Sequence, residues 1–295
     1  MVAMKGVIPN TTPFFMAGVR LLPAGVLVLI AAALMGRPQP KSWKAWLWIA
    51  LFALVDGAMF QGFLAQGLVR TGAGLGSVMI DSQPLAVALM ALWLFGEKIG
   101  VFGWLGLAIG VIGISLLGLP EEWILSAGTR FTDVLLDVGS FTDVLRGLFD
   151  NGQWLMLLAA LSMAVGTVIS RYVCRHADPV AATGWHMILG GVPLFALSGQ
   201  LETEQWIHLS SANWTSLAYS TIFGSAIAYG LFFYFAASGS LTSLSSLTFL
   251  TPVFALLFGN LFLSEVLSPI QWFGVGLTLV SIYLVNQRDA LLEKL

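Results

Sequence analysis

The sequence predicts an all-α integral membrane protein, organised as an inverted-topology repeat of two five-helix halves. Three observations predict this fold class: the composition, apolar runs of bilayer length, and a motif that occurs twice. Of the 295 residues, 58% are hydrophobic and only 9% are charged, whereas a soluble domain is about 25% charged. A soluble domain cannot bury so much apolar surface, because surface grows too fast relative to volume. Lipid is therefore the expected solvent.

The apolar residues form runs long enough to cross a membrane. A helical span needs about 20 apolar residues to cross roughly 30 Å of hydrocarbon. The chain contains about nine such runs after a short apolar stub, Met1 to Ile8. The predicted spans are 13–35, 44–66, 72–95, 100–119, 153–174, 179–198, 213–236, 240–263 and 269–286. Continuous apolar runs such as 26–30 exclude barrel strands, which alternate at every second residue.

A motif of proline, glutamate, tryptophan and glycine is duplicated across one span, a turn and the next span. The first copy comprises Pro84, Glu97, Trp104 and Gly106, and the second, 168 positions later, comprises Pro252, Glu265, Trp272 and Gly274. The duplication favours a structural task for both glutamates, which we expect to cap the helix that follows each. In the front part of each half an offset of 166 pairs Arg20 with His186. Because five spans are an odd number, the second half must enter from the opposite side.

The repeat predicts where the halves begin and end. The predicted parts are a first repeat at 1–119, an extracytoplasmic joining segment at 120–152, a second repeat at 153–288 and a cytoplasmic tail at 289–295. The repeat offset aligns Met1 with Thr167, inside the span at 153–174, so the first helix is expected to be incomplete through truncation. A half that evolved without this helix is the alternative. The joining segment is acidic, which indicates a cap or partner surface, or else an amphipathic or partly disordered linker.

Lysine and arginine in short loops predict the orientation, because positive loops stay in the cytoplasm. The cationic residues expected on the cytoplasmic side are Arg37, Lys41, Lys44, Lys98, Arg171, Arg175, Arg288 and Lys294. The C-terminus is therefore expected inside, most simply in the cell membrane. The net charge of −2 gives no sign of a nucleic-acid partner, and the single cysteine excludes an internal disulfide or a cysteine metal site. We expect no cofactor and no metal.

The segments 84–117 and 252–285 resemble the EamA domain of the drug/metabolite transporter superfamily. The resemblance rests on runs such as Thr251-Pro252-Val253-Phe254 and Gln271-Trp272-Phe273-Gly274, and it extends over nearly the whole chain except 121–152. It implies a ten-helix carrier with a central cavity between the halves and both termini in the cytoplasm. It also implies small metabolites, such as amino acids, purines or drugs, as solutes.

Ionisable residues within the spans are candidates for function, because a charge at the bilayer centre costs about 3 kcal/mol or more. Arg20, Asp56 and Asp81 lie well inside predicted spans and should face the bundle interior or water. Asp56, with Gln61 about one and a half turns on, is expected to bind a cationic solute group or a coupling proton, or to hold a neighbouring helix. Arg20 is expected to neutralise one of the aspartates or to hold a solute carboxylate.

Further polar residues fall on the same spans. Asp81 and Gln83 precede Pro84, which should kink the helix and open a substrate site or a stabilised bend. His186 can titrate near neutral pH or serve as a satisfied core group. Tyr229 is expected either in a cavity wall or facing lipid.

These features favour a secondary-active carrier of small metabolites, namely amino-acid, nucleobase or drug-like solutes, which works by alternating access in the lipid bilayer. Protons are a possible coupling ion. The alternatives are a membrane scaffold or receptor that transports nothing, and a membrane-embedded enzyme. No motif of an ATP-driven or hydrolytic enzyme is found, so we expect no enzymatic activity.

Overall fold

The computed structural model describes residues 1–95, 100–118, 150–237 and 250–287. Glu97, most of the predicted joining segment and the predicted tail lie outside these residues. Within them the chain is helical, and they contain no strand.

The described residues form thirteen α-helices and two π-helical segments. The helices are α1 (Val2–Val7), α2 (Pro13–Leu34), α3 (Trp43–Phe52), α4 (Gln61–Arg70), α5 (Ala73–Ile80), α6 (Gln83–Phe95), α7 (Val101–Gly118), α8 (Gly152–Val173), α9 (Pro179–Leu201), α10 (Ser211–Thr221), α11 (Ala228–Ala237), α12 (Leu250–Leu263) and α13 (Pro269–Asn286). The first π segment, Ala53–Phe60, joins α3 to α4, and the second, Ile222–Ile227, joins α10 to α11. A short 3₁₀ turn, Ile8–Asn10, follows α1.

In the part of the chain that the structure describes, five helical stretches are long and apolar enough to cross a membrane: Pro13–Leu34, Trp43–Arg70, Ala73–Leu94, Gly152–Val173 and Pro179–Leu201. Shorter apolar helices occur at Val101–Leu117, Phe254–Leu263 and Pro269–Val285. These elements coincide closely with predicted spans, and they confirm the all-α membrane fold.

Equivalent helices of the two halves pack against each other and run antiparallel. In the α7–α13 pair, a Cβ atom on Gly106 would lie 2.9 Å from Val285, and one on Gly274 would lie 3.0 Å from Leu117. Gly106 and Gly274 are equivalent at the offset of 168, and so are Leu117 and Val285, so the two contacts are equivalent as well. The contacts Gly110–Ser281 and Gly113–Thr278 form another such pair. Paired contacts between antiparallel equivalent helices are those of a two-fold axis in the membrane plane, as in inverted repeats.

The α2–α9 pair follows the same rule. A Cβ atom on Gly18 would lie 3.0 Å from Phe195, and one on Gly184 would lie 2.6 Å from Leu29. These two contacts are related by the offset of 166. Glycine permits this approach, because helices that pack in lipid gain mainly from close backbone contact.

The two π segments occupy equivalent positions. The offset of 168 carries Ala53–Phe60 onto 221–228, and the second segment is observed at Ile222–Ile227. A π segment is rare and commonly marks a functional site. The first segment brings its backbone against α9, where a Cβ atom on Gly57 would lie only 2.8 Å from the Cα atom of Gly190.

Glu265 caps a helix of the opposite half. The carboxylate of Glu265 accepts hydrogen bonds from the backbone N–H groups of Ala73 (2.5 Å) and Gly74 (2.9 Å) at the start of α5. The expectation that Glu265 caps the helix that follows it is corrected here, because α13 is capped by a box formed by Ser268 and Gln271. The reason is tertiary: the α12–α13 turn lies over the start of α5, whose amide groups have no other cap.

Replacing Glu265 with glutamine should weaken this cap. The neutral amide presents one acceptor oxygen to two N–H groups and loses its attraction to the positive helix end, a loss of about 1 kcal/mol. We expect a fall of about 2–4 °C in the unfolding temperature of the purified protein in detergent. The matched control is Glu204→Gln, which alters an exposed carboxylate near His208. An equal fall in both variants would contradict the capping role.

Candidate functional site

Five of the seven candidate residues meet inside the helix bundle. Arg20 lies on α2, Asp56 on the first π segment, Gln61 at the start of α4, His186 on α9 and Tyr229 on α11. Four of them are almost fully buried, with exposed fractions of 5% for Arg20, 2% for Asp56, 1% for Gln61 and 0% for His186. We refer to these five residues as the polar cluster.

Arg20 is a buried cation with neutral partners. Its guanidinium donates through Nη2 to Gln61 Oε1 and through Nη1 to Met4 Sδ at 3.1 Å, while Nε has no hydrogen-bond partner. Among the residues that the structure describes, no carboxylate lies within 4.0 Å of it. The expected neutralisation by Asp56 or Asp81 is therefore not observed as an ion pair. Burying a charge without a counter-charge is costly, so this arrangement favours a role in binding.

Gln61 and Tyr229 place the polar cluster on the two-fold axis. The side-chain amide of Gln61 donates to the hydroxyl of Tyr229 at 3.0 Å, and the two residues are 168 positions apart. They therefore occupy equivalent positions in the two halves, and a contact between equivalent positions lies on the axis that relates them. Carriers with inverted repeats hold their solute at this interface, near the bilayer midplane.

Asp56 and His186 form a buried pair beside this axis. His186 Nε2 lies 3.1 Å from Asp56 Oδ2, and His186 Nδ1 lies 2.6 Å from the carbonyl oxygen of Thr183. The imidazole stacks on Phe52 with ring centroids 4.2 Å apart, and the ring of Tyr229 is 6.0 Å away. The imidazole is therefore held in a fixed orientation. Its Nδ1 edge contacts the backbone of α9, and its Nε2 edge contacts Asp56 on the first π segment.

Asp81 and Gln83 form a separate polar group at a helix break. The break between α5 and α6 falls at Asp81 and Ser82, just before Pro84 in the first turn of α6. Asp81, which follows the last residue of α5, accepts a hydrogen bond from Ser77 of that helix at 3.2 Å. Gln83 donates to Thr167 on α8 at 2.6 Å, so it ties the break to the other half. The structure therefore does not join these two candidates to the polar cluster by hydrogen bonds.

The remaining motif residues lie in the helical scaffold. Trp104 and Trp272, at equivalent positions of α7 and α13, are 53% and 56% exposed, as expected for aromatic side chains that face lipid. Gly106 and Gly274 form the α7–α13 contact, and Pro84 and Pro252 lie in the first turns of α6 and α12. Among the described residues, no group of three metal-ligating side chains is found.

Several residues that shape the site carry no signal that sequence reasoning could use. A Cβ atom on Gly166 would lie 2.7 Å from Asp56, and one on Gly57 would lie 2.9 Å from the carbonyl oxygen of His186. Met4 and Thr183 contribute a sulfur atom and a backbone carbonyl. Glycine and methionine are common throughout this composition, so only the packing distinguishes these residues.

The antiparallel equivalent helices and the polar cluster on their axis define a membrane protein of the inverted-repeat class. The model of the EamA-like transporter family matches residues 1–119 and 150–287. The chain belongs to this family.

Similar proteins agree with this assignment. A protein of Synechocystis that is named an uncharacterized transporter is 61% identical over 291 residues, which cover 99% of this chain and 86% of that protein. A chloroplastic WAT1-related protein of Arabidopsis thaliana is 52% identical, and the match covers 97% of this chain but only 66% of the plant protein. A crystal structure with 16% identity superposes with a TM-score of 0.65 over 96% of this chain and 90% of that one, which supports the fold.

Proposed function

We propose that this protein is a secondary-active carrier that moves small metabolites bearing a carboxylate group by alternating access. The observation that carries the proposal is Arg20, a buried guanidinium beside the two-fold axis whose hydrogen-bond partners are neutral. An anionic solute would supply the missing counter-charge.

The guanidinium is suited to this task. It presents a planar set of donors that matches a carboxylate in a bidentate manner, and such charge-assisted hydrogen bonds are the strong ones. Gln61 holds one end of it and is itself oriented by Tyr229. Amino acids, one of the solute types expected from the sequence, offer a carboxylate of this kind. Among nucleobases, another expected type, only those that bear a carboxylate, such as orotate, would fit.

The two halves touch at both ends of α2 and α9, so either end could be a gate. At one end, Glu202 accepts hydrogen bonds from the N–H groups of Phe14 (2.8 Å) and Phe15 (3.0 Å). At the other end, Arg37 lies 3.6 Å from Asp178. Alternating access requires that these contacts break in turn. The positive loops support an orientation with the Arg37 end and the C-terminus in the cytoplasm, and we propose the cell membrane as the location.

The alternative readings fit the site less well. A scaffold has little reason to bear the cost of an uncompensated buried arginine. An enzyme would need a reactive group and access for substrate and water, whereas the polar cluster offers binding and proton-holding groups. The similar protein from Synechocystis is named an uncharacterized transporter.

The test is uptake into proteoliposomes containing the purified protein. Two labelled carboxylates are compared with their uncharged counterparts: orotate with uracil, and L-lactate with L-lactamide. In each of these pairs the solutes are alike except for the carboxylate that Arg20 would bind. L-glutamate and L-glutamine, which differ in the side-chain carboxylate, are measured beside them. L-glutamine retains the amino-acid carboxylate, so it reports whether that group alone suffices. Uptake of orotate or L-lactate with little uptake of uracil or L-lactamide is the expected result. Equal uptake within both pairs would exclude the carboxylate as the group recognised.

A further inference from the structure

The geometry of the Asp56–His186 pair requires a proton between the two side chains. The carbonyl oxygen of Thr183 can only accept, so His186 Nδ1, 2.6 Å away, must carry a hydrogen. At 3.1 Å, His186 Nε2 and Asp56 Oδ2 can bond only if one of them also carries a hydrogen. The pair is then an imidazolium with a carboxylate, or a neutral imidazole with a carboxylic acid. Its net charge is zero in both forms.

Loss of this proton would change the electrostatics of the bundle interior. A carboxylate oxygen would face the lone pair of Nε2, in a place where the two side chains are only 0% and 3% exposed. The negative charge would then need a cation nearby, because an isolated buried charge is strongly disfavoured. The pair can therefore release its proton only when a positive charge in the cluster is free to balance it.

The groups around the pair supply one such charge. Arg20 on α2 is the cation of the cluster. Gln61 joins it by hydrogen bonds to Tyr229, whose ring centroid lies 6.0 Å from that of His186. Tyr229 on α11 is close enough to interact electrostatically with both Asp56 and Arg20. Helix α8 meets Asp56 at Gly166, which has no side chain, and α3 contributes the apolar ring of Phe52.

We propose that the Asp56–His186 pair is the proton site of this carrier, and that one proton crosses together with each singly charged carboxylate. This inference rests on the proposed function. With an anion on Arg20 and a proton on the pair, the cluster has no net charge. With the anion and the proton both released, Arg20 balances Asp56 and the cluster is again neutral. Intermediate states carry a net charge in a low-dielectric interior, so they do not reorient readily.

The experiment measures protons and solute together. Proteoliposomes hold a trapped pH indicator, and an inward gradient of labelled L-glutamate or orotate is applied at equal starting pH. We expect the lumen to acidify by one proton per solute molecule. We also expect the same rate whether a potassium–valinomycin clamp sets the membrane potential at zero or negative, because the loaded and empty clusters are both neutral. Solute entry without acidification, or a rate that changes with potential, would overturn the inference while leaving the carrier function in place.

Two variants locate the proton site. Asp56→Asn and His186→Gln each remove one partner of the pair, so the number of protons moved per solute should fall towards zero in the flux that remains. His208→Gln is the matched control, because His208 also lies near a carboxylate, at 3.7 Å from Glu204, but both side chains are exposed. A wild-type ratio in both pair variants would overturn the assignment. If neither anion moved with the wild-type protein, the proposed function would fail and this inference with it.

Discussion

Replacing Arg20 with glutamine should lower the uptake of carboxylate solutes by at least about 30-fold. The substitution removes the cation that would pair with the bound solute carboxylate. Loss of one member of a buried charge pair costs about 2 kcal/mol or more of binding free energy, and each 1.4 kcal/mol changes the affinity about tenfold. Arg20→Lys should give an intermediate loss, because an ammonium group keeps the charge but not the planar bidentate geometry. Initial uptake rates in proteoliposomes, at a solute concentration below saturation, provide the measurement.

The stability of the same variants separates binding from a structural role. While the Asp56–His186 pair holds its proton, as its geometry in the structure requires, the empty site leaves the guanidinium without a counter-charge. Arg20→Gln should therefore unfold at the same temperature as the wild type or higher. The control is Arg70→Gln, in which an exposed arginine loses a hydrogen bond to Gln66 within its own helix; its uptake should stay at the wild-type level. A marked fall in unfolding temperature of Arg20→Gln, or undiminished uptake, would contradict the binding role.

The fold could be predicted from the sequence because its main signals are local. Each span is a run of apolar residues whose length the bilayer sets, so its bounds are visible directly; the run at 13–35 is observed as Pro13–Leu34. The duplicated motif also marks equivalent positions without any knowledge of the packing. The boundaries of the two halves stay a prediction, since the joining segment lies largely outside the described residues.

The sequence was sufficient to predict which residues form the polar cluster, but not which of them bond to each other. Polar residues inside apolar runs are rare, so Arg20, Asp56 and His186 stand out as candidates. Which of them bond depends on how the helices are rotated against each other. Asp56 lies on the first π segment, and no residue pattern in the sequence predicts such a segment. In the structure Asp56 pairs with His186, and among the described residues no carboxylate lies within 4.0 Å of Arg20.

The contacts between the two halves could not be predicted from the sequence either. Glu265 precedes α13 in the chain, so capping of that helix was the local expectation, yet its carboxylate lies on the start of α5. The contact of Gly57 with Gly190 joins two glycines that belong to no motif. Such contacts depend on the tertiary arrangement. A single sequence does not show which residues that are distant along the chain lie close together in space.

Replacing Gly190 with alanine should destabilise the protein and disturb the proton site together. A Cβ atom there would lie 2.5 Å from the Cα atom of Gly57 and 2.8 Å from the carbonyl oxygen of Ala53. Both neighbours are backbone atoms, so α9 would have to move away from the first π segment. Overpacking of this kind costs about 1–3 kcal/mol, or roughly 2–10 °C in the unfolding temperature. His186 lies one turn earlier on α9, so the same movement should lengthen its bond to Asp56.

Gly199→Ala is the matched control, since it lies on the same helix and a Cβ atom there would meet nothing within 4 Å. It should keep or slightly raise the unfolding temperature, because alanine favours a helix by about 1 kcal/mol over glycine. Proton movement per solute should fall in Gly190→Ala and not in Gly199→Ala, since only the first moves His186. If both variants behaved alike, the contact between α9 and the first π segment would not be what positions the pair, and the cause of its geometry would have to lie in α9 alone.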